Sequence, residues 1–147
     1  MDSHQPPDGS APQAYRITAE AVHEGAAVLH AAGTDIPLAA AWGGPPTEDP
    51  GPADLLAGAF AACLLKNLAR AAALTGFSYT SAHVQVDARR QDRPPTFVAI
   101  DYVLTVGTDE PERRLELVHR NLAKFGTVYN TLAAVCEIDG RIEAHAP

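Results

Sequence analysis

The chain has 147 residues and a net charge of −7, a size that suits one domain with a core of its own. The acidic balance argues against binding a nucleic-acid backbone, which needs an excess of Lys and Arg. Two cysteines, Cys63 and Cys136, are too few for a disulfide framework, and a soluble, cytoplasmic protein with reduced thiols is expected.

Residues Met1 to Ala14 are rich in Pro, Gly, Ser and Gln, and read as an N-terminal tail ahead of a single domain over 15–147. No basic stretch followed by an apolar run precedes them, so no signal peptide is expected. From Tyr15 to Ala21 apolar and polar residues alternate, which predicts a half-buried strand. His23-Glu24-Gly25 reads as a turn, Ala26 to Ala32 as the returning strand, Gly33-Thr34 as a second turn and Ile36 to Trp42 as a short third strand. Gly43 to Gly51 is dense in Gly and Pro and reads as a loop.

A long helix is predicted from Pro52 to Leu74. Gly51 precedes it, Pro52 takes the first helical position, Asp54 lies in the first turn and Gly76 ends it. The helix is apolar nearly all round, which predicts burial within a core. Lys66, Asn67 and Arg70 interrupt the apolar run, so it is not read as a membrane span.

Ala82, Val84, Val86 and Ala88 alternate with His83, Gln85, Asp87 and Arg89, the pattern of a strand. Asp92 to Pro95 turns the chain, and Arg89, Arg90 and Arg93 read as a solvated cluster there. The next strand is expected to place Val98, Ile100, Tyr102, Leu104 and Val106 on one face. A second helix is predicted from Asp109, with Asp109 and Glu112 as a capping box. Its apolar stripe is Leu115, Val118, Leu122 and Phe125, and Gly126 ends it. Thr127 is expected to cap a short helix to Ala134. The last strand puts Cys136, Ile138 and Ile142 on one face.

Strands joined by tight turns favour antiparallel sheets, so the fold class is α+β, with the long helix packed on antiparallel sheets. One sheet layer cannot cover so apolar a helix, and a second subunit in a symmetric homodimer is expected to cover the rest.

Cys63 is the leading candidate for chemistry. A thiol reacts as its thiolate, which needs a cation or hydrogen-bond donors when held away from water. Cys63 lies about three turns into its helix, too far for the dipole to help much. Lys66, three residues on, is a candidate neighbour. The competing reading is an inert core cysteine, and Cys136 is read as core. His83 and His119 fall on presumed solvent faces and His23 at a turn. The histidines lack metal-ligand spacing, and no phosphate-loop, dinucleotide or nucleophile-elbow motif is present, so no metal or cofactor is expected.

The segment Gly51-Pro52-Ala53-Asp54-Leu55-Leu56-Ala57-Gly58-Ala59-Phe60-Ala61-Ala62-Cys63 resembles the helix motif of the OsmC and organic hydroperoxide resistance proteins, where a Pro-Glu-x-Leu-Leu start leads to small residues ending in Ala-Cys. Arg93 to Phe97 resembles the hairpin that follows. Lys124-Phe125-Gly126-Thr127-Val128-Tyr129-Asn130-Thr131-Leu132 is similar to the family's second-cysteine segment, Cys-Pro-Val-x-x-x-Leu. The similarity spans about Tyr15 to Ala144. It implies an intertwined homodimer with two central helices, and thiol peroxidase chemistry in the oxidative stress response. In that chemistry a thiolate attacks the peroxide, a second cysteine forms a disulfide, and a dithiol reductant reopens it.

By this resemblance Cys63 matches the attacking cysteine. The chain differs from the pattern at three positions. Gly126 stands at the resolving cysteine, Ala53 at the helix-start glutamate, and His23 at the arginine that helps hold the thiolate. A protonated His23 supplies some of that charge, less strongly than a bidentate arginine. The expectation is a one-cysteine enzyme that reduces organic hydroperoxides through Cys63, with His23 beside it and an external thiol as reductant. The alternative is a non-enzymatic protein that holds a small apolar ligand at the dimer interface. Neither reading involves nucleic acid or membrane.

Overall fold

The computed structural model describes residues 12–147. Of the expected tail, residues 1–11 lie outside the described residues. The element order is β1 (Thr18–Ala21), β2 (Ala27–Ala31), β3 (Thr34–Pro37), α1 (Pro52–Thr75), β4 (Ser81–Asp92), β5 (Pro95–Gly107), α2 (Glu112–Phe125), α3 (Thr127–Ala133) and β6 (Glu137–His145). The chain divides into two compact units, one ending at Pro52 and one from Ala53 to Pro147.

The first unit is an antiparallel sheet in the order β1-β2-β3. Its first strand starts at Thr18, not Tyr15, and is exposed on both faces rather than half-buried. Around His23-Glu24, Gly25 donates its backbone N–H to the Val22 carbonyl at 2.8 Å, and Val22 donates to Ala26 at 3.0 Å. The second turn centres on Ala32 and Gly33, one residue earlier than expected. Their φ values of 50° and 81° are both positive, as a two-residue hairpin turn between right-twisted strands requires. The third strand stops at Pro37 instead of running to Trp42, and Ala39 donates to the Pro50 carbonyl at 3.0 Å across the Gly/Pro-rich loop.

The second unit carries the core. Strand β5 lies at the centre of the order β4-β5-β6, so it is covered most completely: Ile100, Tyr102, Leu104 and Val106 are all buried. The pairing of β4 with β5 is antiparallel, with a bulge where Arg89 pairs Ala99 and Arg90 pairs Phe97. Val98 is the extra residue. The bulge shifts the alternation, so Phe97 packs on the core while Val98, expected there, is exposed. Two of the three arginines near this turn are paired, Arg89 with Asp101 and Arg90 with Asp92. Strand β6 runs parallel to β5. The chain returns to it through two helices rather than a turn, and such a crossover delivers a parallel strand.

Helix α1 buries one face, formed by Phe60, Leu64, Leu68 and Ala71. These positions follow the i, i+4, i+8, i+11 spacing of one helix side. Leu56, Leu65 and Leu74 are exposed, so within one chain the helix is not buried all round as expected. By length and composition α1 is apolar enough to cross a membrane, yet its buried face belongs to the same cluster as β5 and α2. Gly76 ends it with φ 71° and donates to the Ala72 carbonyl at 3.0 Å.

Helix α2 buries Leu115, Val118 and Leu122, with Phe125 exposed. The expected Asp109–Glu112 capping box does not form; the helix starts after Pro111 without a side-chain cap. Its entry is fixed instead by Thr108 and Glu110. The Thr108 hydroxyl donates to the Ser78 carbonyl at 2.6 Å and accepts from the Glu110 N–H at 3.1 Å. Glu110 accepts from the Ser78 N–H at 3.0 Å and pairs with Arg114 at 2.9 Å. Arg114 also donates to the Thr75 carbonyl at 2.8 Å, which ties the end of α1 to the start of α2. Thr127 is the first residue of α3 rather than its cap, because Gly126 takes that place.

Candidate active site

Cys63 sits on α1 at the edge of the buried face, three residues after Phe60 and one before Leu64. It is partly buried and its thiol is free. One turn on, the Asn67 amide donates to the Cys63 carbonyl at 2.8 Å and lies 3.5 Å from the sulfur. The carbonyl contact is the stronger. The sulfur contact still presents a donor N–H to the side on which a thiolate would carry its charge. Asn67, not the expected Lys66, is thus the hydrogen-bond partner of this sulfur. The i, i+4 spacing was the signal that could have found it.

The wall opposite the sulfur is Gly126, between α2 and α3. Its φ of −78° and ψ of 116° are open to any residue. Its smallness answers to space, because a Cβ there would stand 3.1 Å from the Cys63 sulfur, 2.9 Å from the Leu122 carbonyl oxygen and 2.9 Å from the Tyr129 Cβ. The backbone of Gly126 therefore approaches the thiol directly. Gly126 ends α2, as expected from the sequence, and is also a point of close approach to the thiol.

An aromatic cluster includes Phe60, three residues before Cys63 on α1, and Tyr129, three residues after Gly126. The rings of Phe60 and Tyr129 stack at 5.5 Å, and Tyr102 meets Phe60 at 5.7 Å and Tyr129 at 6.4 Å. The Tyr102 ring lies over Gly140, its register partner on β6, where any Cβ would collide with it. The Tyr102 hydroxyl and His119 Nε2 form a hydrogen bond of 2.6 Å. His119 is therefore half-buried and partnered, not on a solvent face as expected, and burial lowers its pKa from the usual 6.5. Burial pushes the Tyr102 phenol well above its ordinary value. Both shifts keep the pair neutral near pH 7.

Cys136 is buried and its thiol points to the Phe97 carbonyl at 3.5 Å, a core position as expected. His23 belongs to the N-terminal unit. It is 94% exposed, with Glu24 3.9 Å away. With Val22, Ala40, Ala41 and Trp42 it lines a cleft of about 590 Å³.

The sequence pattern described as OsmC-like protein matches residues 44–140. The chain belongs to the OsmC-like family. Among solved structures it is similar to an OsmC-like protein from Mycoplasma pneumoniae, with a TM-score of 0.82 at 19% identity over 91% of this chain and 99% of that one. It is also similar to an organic hydroperoxide resistance protein OsmC from Legionella pneumophila, with a TM-score of 0.72 at 14% identity over 91% and 99% of the two chains. The organic hydroperoxide resistance protein OhrB of Bacillus subtilis aligns with a TM-score of 0.64 at 14% identity over 89% and 98%. At these identities the likeness shows the fold. Among curated proteins none matches the chain significantly by sequence. The expected α+β, OsmC-like architecture is thus the observed one.

Proposed function

We propose that this OsmC-like chain is a cytoplasmic stress-response protein that reduces organic hydroperoxides through Cys63 as a one-cysteine thiol peroxidase. The observation that carries the reading is the setting of Cys63. Cys63 is partly buried, its sulfur has an Asn67 N–H at 3.5 Å, and it faces a glycine backbone where a Cβ would stand only 3.1 Å away. An organic peroxide needs an apolar wall for its alkyl group and access of one oxygen to the sulfur.

In the proposed cycle the Cys63 thiolate attacks one peroxide oxygen. The O–O bond breaks, the alkoxide leaves and takes a proton, and Cys63 becomes the sulfenic acid. An external thiol then condenses with it, releasing water and leaving a mixed disulfide. A second thiol displaces Cys63. Membership of a family with hydroperoxide-resistance relatives supports this reading.

The exposed Leu56, Leu65 and Leu74 on α1 support the proposed homodimer, because a second copy packed along this helix would take apolar side chains out of water. His23, placed at a turn, is proposed to add positive charge near a thiolate within that assembly.

A second reading, a protein that binds a small apolar ligand without turnover, is favoured by the cleft beside Trp42 and His23, whose volume falls in the range of small-molecule sites.

The deciding experiment treats the protein with stoichiometric cumene hydroperoxide and traps sulfenic acid with dimedone. The peroxidase reading expects the adduct on the Cys63 peptide and loss of peroxide consumption in Cys63→Ser. Full consumption by that variant, or no adduct in the wild type, overturns it. Co-purified apolar ligand in native mass spectra, without an adduct, would establish the binding reading instead.

A further inference from the structure

The charge around Cys63 runs against the charge of the chain. Overall the protein is acidic, at −7. Yet no Asp or Glu occurs from Leu55 to Val86, a segment that carries Lys66 and Arg70, and none from Leu117 to Cys136, a segment that carries Arg120 and Lys124. These two cationic segments meet at the site, where Gly126 faces the sulfur of Cys63.

Among the described arginines and lysines, those that hold a carboxylate lie outside these segments. Arg89, Arg90, Arg114 and Arg141 each hold a carboxylate. Among the described residues, Lys66, Arg70 and Lys124 form no salt bridge. The Arg70 guanidinium instead lies 4.4 Å from the ring centre of Phe125, and the Lys124 ammonium lies 5.2 Å from it. Phe125 is 44% exposed and directly precedes Gly126. Two cations are thus held on an aromatic ring next to the wall of the thiol site, with their outward charge uncompensated. Along α1, Lys66 stands about 4.5 Å and Arg70 about 10 Å beyond Cys63, from the rise of a helix.

We infer that the external thiol that recycles Cys63 is an anionic low-molecular-weight thiol, which enters beside Gly126 and places its carboxylates on Lys66, Arg70 and Lys124. This rests on the peroxidase reading above and names the class of its reductant. The geometry asks for carboxylates several bonds from the sulfur, since the cations begin one helical turn from Cys63 and end two turns away.

The chemistry balances. The Cys63 sulfenic acid and one thiol give a mixed disulfide and water. A second thiol attacks that disulfide, restoring the Cys63 thiol and releasing the oxidised dimer of the reductant. One peroxide is reduced to alcohol and water for two thiols oxidised. Cations beside the sulfur raise the local concentration of an anionic thiol, and salt weakens the effect.

The test compares glutathione with its diethyl ester, which differs only in its two carboxylates, at equal thiolate concentration. The dimer-competent full chain is used. Rates are read on Cys63 sulfenic acid, and separately on Cys63 converted to its 2-thiopyridyl disulfide, located by peptide mapping. Glutathione is expected to react about tenfold faster at low salt, and the gap to close as ionic strength rises past physiological values. Arg70→Gln combined with Lys124→Gln should remove most of the gap, and Arg70→Lys should keep it. Equal rates for the two thiols, or a gap unchanged in the double variant, overturn the inference. The disulfide arm needs no peroxide chemistry. Failure to form sulfenic acid therefore defeats the peroxidase reading alone, whereas loss of the charge preference on the disulfide defeats this inference alone.

Discussion

The two units of this chain solve the same problem, a three-stranded sheet, in opposite ways. The N-terminal sheet uses strands of 4 or 5 residues, and its first strand is exposed throughout. The second uses strands of 9 to 13 residues with a helix-covered core. Short sheets are marginal on their own in water, and turn chemistry and side-chain hydrogen bonds must set their shape. A long, covered sheet has its register fixed by burial, because a one-residue slip would expose every apolar side chain. The difference teaches where the molecule is vulnerable: core substitutions act on the unit that holds Cys63, and turn or charge substitutions act on the hairpins.

The largest effect is expected from Leu64→Ala. Leu64 is 1% exposed between Phe60 and Leu68 on the buried face of α1. Its truncation should cost about 2–5 kcal/mol through lost burial and a residual cavity. Urea unfolding with a probe in the second unit, such as near-ultraviolet absorbance of Tyr102 and Tyr129, measures it. A loss below about 1 kcal/mol would mean that the face is not core.

A smaller loss follows from Tyr102→Phe. The variant keeps the ring against Phe60 and over Gly140 but removes the hydroxyl that meets His119. About 1 kcal/mol should be lost, with His119 left short of a partner. A double-mutant cycle with His119→Ala checks that the loss is carried by this pair. Additive effects would show that the two side chains act independently.

Much of the second unit was legible because its pattern is periodic. The alternation of Ala82, Val84, Val86 and Ala88 and the stripe of Leu115, Val118 and Leu122 survive intact in the structure. What failed depends on geometry that periodicity does not carry. The bulge at Val98 inserts one residue and moves Phe97 to the core side. The parallel return of β6 is set by two intervening helices. The Asp109 capping signal lost to Thr108 and Glu110, whose partner Ser78 is thirty or more residues away. At the candidate site, the motif singles out Cys63. Asn67 was missed although it lies one turn away, and His119 was misplaced because only the folded chain brings Tyr102 to it.

A third prediction sharpens the hairpin side. Ala32 holds φ 50°, a left-handed conformation that a Cβ disfavours. Asn tolerates it better, and Asn-Gly is the favoured pair in such a turn. Ala32→Asn should stabilise the first sheet by roughly 0.5–1 kcal/mol, an estimate from the left-handed penalty. Slower backbone amide exchange in β2 and β3 checks it, with β5 unchanged. Equal slowing in β5 would mean that the units unfold as one.

The smallest effect is the one that separates the units most directly, because their histidines shift in opposite senses. His30 on β2 lies between Asp35, at 2.5 Å, and Glu20, at 3.1 Å, so three strands share one imidazole. Hydrogen bonds to Asp35 and then Glu20 raise its pKa above 6.5. A raised value in the folded state means that the cation is favoured by folding. Its contribution is complete below pH 6.5 and is lost as pH rises through the folded value. Solvent screens this exposed cluster, so the gain is small. His119 behaves conversely. Burial lowers its pKa, so its contribution is present above pH 6.5 and is lost as pH falls through the folded value. Mild acid should therefore firm the first sheet while loosening the contact between α2 and Tyr102. Proton NMR titration of the imidazole C–H signals measures both, assigned with His30→Gln and His119→Gln. His30 should titrate above 6.5 and His119 below it. If the two titrate together at the free-histidine value, neither the three-strand clasp nor the buried Tyr102–His119 pair persists in solution, and the contrast between the units is one of burial alone.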